Sequence, residues 1–451
     1  MPQNTLPPED SQSLDLELRI GPAAHGGHFV ARHEGRVVFV RHALPGELVR
    51  ARLTEAGDKA KFWRADTVEV LEASPHRVEH FWAPADALRA GARGRLPVGG
   101  AEFGHIALEE QRRIKAGIFA EQLQRLGGLQ REVTVEAAPG EDDGGLGWRT
   151  RASFSVAPGG KLAMHPHRSD ELIPVQEMPL ATGAINSLKL WDVDFTGTDR
   201  VEVAAPAVGG APLVLLVPSP GTHPRTLARI ASDIGTAADP GAGETVSVAA
   251  WDPESHDLTR LRGRTWVREN AAGHDFRVTG AGFWQIHRSA PLALTSAVRD
   301  GLQIQPGERV ADLFAGAGLF TAPLADAAGE TGHVLSVEGS PGASRDARKN
   351  LFSSPQVEVA QGRVDKVLRT REGGFDVVLL DPPRAGAGRT VVEQIDAASP
   401  RAIGYISCDP ASFARDLAWF REAGWELDAL RVFDLYPHTH HMESFAVLRK
   451  P

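Results

Sequence analysis

The sequence predicts an α/β protein: a parallel sheet flanked by helices, preceded by a small β-barrel and a mixed α+β region. Three observations carry this. From about Gly282 onward, apolar runs alternate with helical segments, as in ERVADLF, TAPLADAA, HVLSVE, SRDARKNL and FDVVLL. That alternation makes a parallel sheet covered on both faces. Between Leu14 and Ser74 the chain shows only short β-like runs separated by turn signals, the pattern of a small barrel. Finally, 451 residues at roughly 150 per domain make about three domains. The divisions expected are a disordered tail at 1–13, the barrel at 14–74, the mixed region at 75–280 and the sheet domain at 281–451.

In order along the chain, Arg36-Val37-Val38-Phe39-Val40 and Thr67-Val68-Glu69-Val70 alternate with the period of half-buried strands. Residues 105–127 read as one helix: Ile106, Ile114, Ile118, Leu123 and Leu126 lie near helical spacing, and Gly127-Gly128 ends it. Between 131 and 280, DLTRLRGRTWVREN and HDFRVTG read as strands, and no catalytic constellation emerges there. After the alternating region come RAIGYIS, the helix ASFARDLAWF, and two closing strands around a polar loop, LDALRVFDLYPHTHHMESFAVLRK. These last two are expected to form an antiparallel edge of the sheet.

Composition excludes several classes. There is a single cysteine, Cys408. One thiol forms no internal disulfide and completes no cysteine-based zinc or iron–sulfur site, so a reducing, cytoplasmic setting is expected. No apolar run approaches the roughly 20 residues of a membrane span, and the polar N-terminus is unlike a signal peptide. The net charge of −9 argues against a surface coated in nucleic acid but leaves room for a local basic groove. Oligomeric state is not legible.

Five motifs are candidates for chemistry. Asp312-Leu313-Phe314-Ala315-Gly316-Ala317-Gly318 follows a strand and opens a helix. Glycines there let a ligand approach the backbone. Glu338 ends the next strand and is placed to bind ribose hydroxyls. Thr321 stands where a third loop glycine would be, so with no phosphate to cradle, S-adenosylmethionine fits better than a dinucleotide. Leu380-Asp381-Pro382-Pro383-Arg384 closes a buried strand with a rigid turn that aims Asp381 at the ligand crevice. Cys408 ends the next strand on the same rim, and the helix after it is expected to depress its pKa. Pro437-His438-Thr439-His440-His441-Met442-Glu443 offers Glu443 as a proton acceptor. Its histidines are poorly spaced for one metal ion, and no metal is expected. Phe283-Trp284-Gln285-Ile286-His287 reads either as a base-stacking and hydrogen-bonding segment or as a core aromatic pair.

Together these motifs resemble the RNA uracil-5-methyltransferase family. FWQIH, DLFAGAGLFTAPLA, VLSVEGS, LLDPPRAG, SCDPASFARD and PHTHHMESFAVL resemble its motifs in the same order, and RVVFVRHALPGELVRARL with VLEASPHRVEHFW is similar to its TRAM domain, an RNA-binding OB-type barrel. The resemblance implies a Rossmann-like class I methyltransferase sheet behind that barrel. It implies Cys408 as nucleophile, Glu443 as general base, and Gln285, Phe314, Gly316, Gly318, Glu338 and Asp381 at the S-adenosylmethionine site. Three departures stand out. The cysteines that hold a [4Fe–4S] cluster in many members are missing, so no cluster is expected. Leu319 replaces an Asn of some members, and His287 replaces the usual Asn.

The function implied is formation of 5-methyluridine in RNA through a covalent Cys408–uracil C6 adduct, on a base that is single-stranded or flipped out. Ribosomal 23S RNA is the expected partner, because the simplest transfer-RNA members lack a TRAM domain; no membrane partner is expected. A transfer-RNA 5-methyluridine enzyme, an RNA cytosine-5 methyltransferase and a non-catalytic RNA-binding factor are the competing readings. The second of these lacks its usual Pro-Cys pair here, and the last is opposed by the presence of both Cys408 and Glu443.

Overall fold

The computed structural model describes residues 15–57, 59–141, 144–237, 246–371 and 373–451, so the expected tail at 1–13 lies outside the described residues. The chain forms two compact units. Of the described residues, one unit comprises those up to 118 with 165–171 and 437–440; the other comprises those in 119–164, 172–436 and 441–451.

The first unit is built on β1 (Asp15–Arg19), β2 (Ala23–Ala24), β3 (His28–His33), β4 (Arg36–Arg41), β5 (Leu48–Glu55) and β6 (Phe62–Glu72). They form one sheet in the order β1-β5-β6-β4-β3-β2. Alternation drives it: Leu16, Leu18, Phe29, Val38, Val40, Val49 and Ala51 are buried while their neighbours face outward. Register shifts at three points of the β5–β6 pair bend these strands. A short helix α1 (Ala87–Gly91) follows, its first turn capped by Asp86, which accepts the Leu88 and Arg89 N–H groups. Helix α2 runs Leu108–Arg125. Gly128, at φ +60, stands just past its end and supplies the left-handed residue that commonly terminates a helix.

In the second unit, β7 (Val135–Ala137) precedes a mixed sheet. That sheet comprises β8 (Arg151–Ala157), β9 (Lys161–Met164), β10 (Ile173–Pro174), β11 (Thr198–Ala204), β12 (Leu213–Pro218), β13 (Ser247–Trp251) and β14 (Leu258–Arg262). Helices α3 (Gly183–Asn186) and α4 (Pro224–Ala237) connect its strands, and a hairpin, β15 (Trp266–Ala271) and β16 (His274–Thr279), follows. The run read as one strand, DLTRLRGRTWVREN, is two, β14 and β15. Gly263 between them sits at φ +66, and a Cβ there would meet Ser247 Oγ at 2.4 Å, so the chain turns at the one residue able to do so.

After helix α5 (Ala290–Leu302) the alternation appears as expected: β17 (Arg309–Leu313), α6 (Thr321–Ala328), β18 (His333–Glu338), α7 (Pro341–Asn350), β19 (Val357–Gln361), α8 (Val364–Arg369), β20 (Val377–Leu380), α9 (Arg389–Ala397), β21 (Ala402–Ser407) and α10 (Pro410–Glu422). Strands β22 (Glu426–Asp434) and β23 (Glu443–Arg449) close the chain. The sheet order is β19-β18-β17-β20-β21-β23-β22-β7. Strands β17 to β21 pair in parallel, and their order reverses between β17 and β20, where ligands settle beyond the carboxyl ends of such strands. The closing pair adds antiparallel to the sheet as expected, but it is not outermost. Strand β23 inserts between β21 and β22, antiparallel to both, and β7 pairs in parallel along the outside of β22. Three residues nearly 300 positions away carry no periodicity that sequence could reveal.

Candidate active site

The switch point brings together the Phe314–Gly318 loop, Glu338 and Asp381. At its floor β17 ends in the loop Phe314–Gly318. Phe314 sits at φ +63, Gly316 at +57 and Gly318 at +93. A left-handed phenylalanine is strained backbone of the kind held at ligand sites. A Cβ on Gly316 would meet nothing, whereas one on Gly318 would meet Leu351 at 3.0 Å. Gly316 therefore leaves open space over the loop, and Gly318 allows close packing beneath it. Leu319 is buried in the apolar core, so it offers no polar group to a ligand.

Glu338, at the end of β18, accepts the Gly316 N–H at 2.8 Å and the Ser340 N–H at 2.6 Å, one on each oxygen. The carboxylate thus fixes the loop and keeps lone pairs for further donors. Beneath it lies a residue not singled out from sequence, Asp312. Thr321 Oγ1 donates to its Oδ2 at 2.5 Å, while Oδ1 is buried without a hydrogen-bond partner. Burial, aided by the charges of Asp381 and Glu338, pushes Asp312 up to about 7.

Asp381 stands one residue past β20. Its N–H donates to the Leu313 carbonyl at 3.2 Å, which holds it beside the Phe314 loop. The turn after it is pinned from α10. Asp416 Oδ2 accepts the Ala387 N–H at 2.6 Å and the Tyr405 hydroxyl at 2.7 Å. Gly386 is at φ +81, and a Cβ there would meet Arg415 and Asp416 at 2.5 and 2.6 Å. Only glycine fits this turn.

Cys408 follows β21. Register pairs Ser407 with Ser444 on β23, so one step further Cys408 stands opposite Glu443, within the span of cross-strand neighbours. Glu443 is buried, at 3% exposure, whereas Phe314, Gly316, Glu338, Asp381 and Cys408 are each partly exposed. Burial and then the charge of Asp381 hold the Glu443 carboxyl well above the usual range. Burial likewise raises Asp381. Two neighbouring carboxyls so disposed resist ionising together.

The expected depression of the Cys408 pKa does not occur. Burial, then the charges of Glu443 and Asp381, push the thiol up to about 12, against the opposing pull of Arg384. The helix offers no relief because Asp409 caps it, accepting the Ser412 N–H at 2.7 Å. The cap occupies a donor that would otherwise favour a thiolate.

Around this centre lie residues that sequence reasoning did not assign. Tyr436 donates its hydroxyl to Glu443 Oε2 at 3.1 Å. Its ring meets Trp148 and His441 edge-on, each with centroids 6.0 Å apart. His441 in turn lies 3.4 Å from the Arg384 guanidinium. His287 stacks on Trp148 at 5.6 Å and accepts the Ser289 N–H on Nδ1. Burial, then Arg288, lowers its pKa to about 4, so it stays neutral. In FWQIH, Trp284 is core, packed on Phe276 at 5.2 Å. Gln285 is also buried, whereas Phe283 is 66% exposed. Of the other loop histidines, His438 is tied to Gln111 by ring and backbone, and His440 to Glu102.

Comparison with known proteins bears on this arrangement. Residues 361–451 match the tRNA (Uracil-5-)-methyltransferase family and residues 16–66 the TRAM domain. Residues 282–367 match the protein-L-isoaspartate(D-aspartate) O-methyltransferase family. A Streptomyces avermitilis protein described as an uncharacterized RNA methyltransferase is 41% identical over 96% of this chain and 98% of its own. The 23S rRNA (uracil(1939)-C(5))-methyltransferase RlmD of Alkalilimnicola ehrlichii is 30% identical, covering 96% of each chain. Among solved structures, the Pyrococcus abyssi tRNA (uracil-54, C5)-methyltransferase in complex with S-adenosyl-L-homocysteine shares the fold. Its TM-score is 0.69 at 21% identity, covering 97% of this chain and 100% of the other.

Proposed function

The chain belongs to the RNA uracil-5-methyltransferase family with an N-terminal TRAM domain, and on that premise we propose that it methylates C5 of a uridine in 23S ribosomal RNA through Cys408. The chain is an RNA methyltransferase; the target, the covalent route and a cytoplasmic place of action are this proposal. The observation that carries it is the cross-strand juxtaposition of Cys408 and Glu443 beside Asp381. The RNA target rests on full-length likeness to the RlmD relatives and on the TRAM match.

The residues at the switch point fit S-adenosylmethionine. The loop presents an open face at Gly316, and Glu338 and Asp381 border it with Asp312 beneath. Carboxyl groups suit a cationic ligand with hydroxyl and amine donors, and an acidic residue at this position is placed to bind ribose. Gln285, Phe314, Gly316, Gly318, Glu338 and Asp381 would hold it, and when bound it supplies the methyl group.

C5 of uracil is a weak nucleophile. Addition of the Cys408 sulfur to C6 makes C5 enolate-like. Because the thiol is held protonated in the free protein, its proton must leave as the bond forms, to the ionised member of the Asp381–Glu443 pair. Arg384 opposes the raised thiol pKa and steadies the charge passing between these groups. Once C5 carries its methyl group, Glu443, having released its own proton to solvent, takes the C5 proton. The C6–S bond then breaks, and the departing sulfur recovers its proton from the carboxyl that received it. Asp381 orients the pyrimidine.

Deleting the gene and mapping 5-methyluridine in 23S and transfer RNA tests the target. Loss from 23S RNA alone is expected, and loss from transfer RNA alone would overturn that assignment. Glu443→Gln is expected to accumulate a covalent RNA adduct, visible as a protein band shifted on a denaturing gel. An adduct-free variant with full turnover would remove Glu443 from the mechanism.

A further inference from the structure

We propose that Tyr436 is the positioning residue of the general base: its hydroxyl holds Oε2 of Glu443 so that the other oxygen faces C5 of the bound uracil. The inference rests on the reading of Glu443 as base and adds a residue that neither the motifs nor the family likeness assigns.

The geometry supports it in three ways. The phenol donates to Oε2 at 3.1 Å. The ring that carries it meets both Trp148 and His441 edge-on, and Trp148 is itself stacked on His287. The hydroxyl therefore has little freedom to leave the carboxylate. Burial, with the adjoining Glu443 charge, holds the phenol well above its ordinary pKa, so it remains a donor throughout the working range.

What the donor does follows from the surroundings. The titratable and charged groups around Glu443 are Asp381 past β20, Arg384 in the turn, Cys408 past β21, and Tyr436 and His441 in the loop between β22 and β23. Burial and Asp381 favour the protonated acid, which cannot accept the C5 proton; Tyr436 and Arg384 favour the carboxylate. A hydrogen bond to the charged form lowers a pKa. Because the phenol occupies Oε2, the proton arrives on Oε1, and the same bond serves before and after transfer.

Tyr436→Phe removes one oxygen and keeps the ring. With S-adenosylmethionine and a uridine-containing RNA, it is expected to slow adduct resolution by about 10- to 100-fold. The adduct should accumulate as in Glu443→Gln, while cofactor affinity stays unchanged and the thermal midpoint falls by only about a few degrees, the cost of leaving Oε2 without its buried donor. Loss of the donor raises the pKa of the base, so the rising limb of the pH–rate profile moves to higher pH and alkaline buffer partly restores the rate. A Tyr436→Phe protein with the parent pH profile and no adduct overturns the inference. If Glu443→Gln nevertheless traps the adduct, the reading of Glu443 stands without it; if Glu443→Gln turns over normally, the reading of the base fails and the inference with it.

Discussion

At the scale of single residues, the proposed chemistry depends on a thiol kept protonated until substrate arrives. Cys408 is at about 12 because burial, Glu443 and Asp381 all disfavour the thiolate. Iodoacetamide should therefore alkylate the free protein slowly at pH 8, and the rate should climb about tenfold per pH unit toward the thiol pKa. A fast, pH-independent reaction would contradict the electrostatics. Since this is the only cysteine, label and activity loss report on one site. Cys408, Asp381 and Glu338 stood out in sequence because each lies at the carboxyl end of a strand, where ligands settle, and Glu443 because it borders the final apolar strand. Tyr436 and Trp148 were not. An aromatic before a proline, or in a Gly-rich loop, reads as packing, and only the fold brings both beside Glu443 and His287. Nor was the thiol pKa legible, because a helix N-terminus in sequence does not reveal that Asp409 caps it.

At the scale of elements, the sheet was legible because strands buried on both faces are plain apolar runs; β20 and β21 are buried along their whole length. The role of α10 was less so. It pins the Asp381 turn through Asp416, which is fully buried and accepts from Ala387 and Tyr405. Asp416→Ala leaves both donors unpaired. It should cost about 3 kcal/mol in denaturant unfolding and loosen the turn. A second test concerns β17. Asp312 sits at about 7 when folded, against 3.8 as its ordinary value. A carboxyl raised by folding imposes no penalty below its unfolded pKa. Its contribution to stability is lost as pH rises from there through the folded value, at about 1.4 kcal/mol per pH unit. Asp312→Asn mimics the protonated acid, so melting temperature should fall less between pH 4 and 7 than in the parent. Identical slopes would show that Asp312 ionises freely.

At the scale of the molecule, the two compact units divide the labour by composition. One carries the TRAM-matching strands, the other the two larger sheets and the whole Cys408 centre. No helix among the described residues is long and apolar enough to cross a membrane. The closing strands show the limit of local reading. That β23 lies inside the sheet, antiparallel between β21 and β22, is a long-range fact; yet it alone sets Glu443 opposite Cys408. The central claim is covalent catalysis by that pair. Its most direct test is peptide mass spectrometry after incubation with S-adenosylmethionine and 23S RNA carrying 5-fluorouridine, whose C5 fluorine cannot be removed as a proton. One methylated pyrimidine attached to the peptide bearing Cys408, and none in Cys408→Ala, is expected. An unmodified Cys408 peptide, with Cys408→Ala still methylating ordinary RNA, would contradict it.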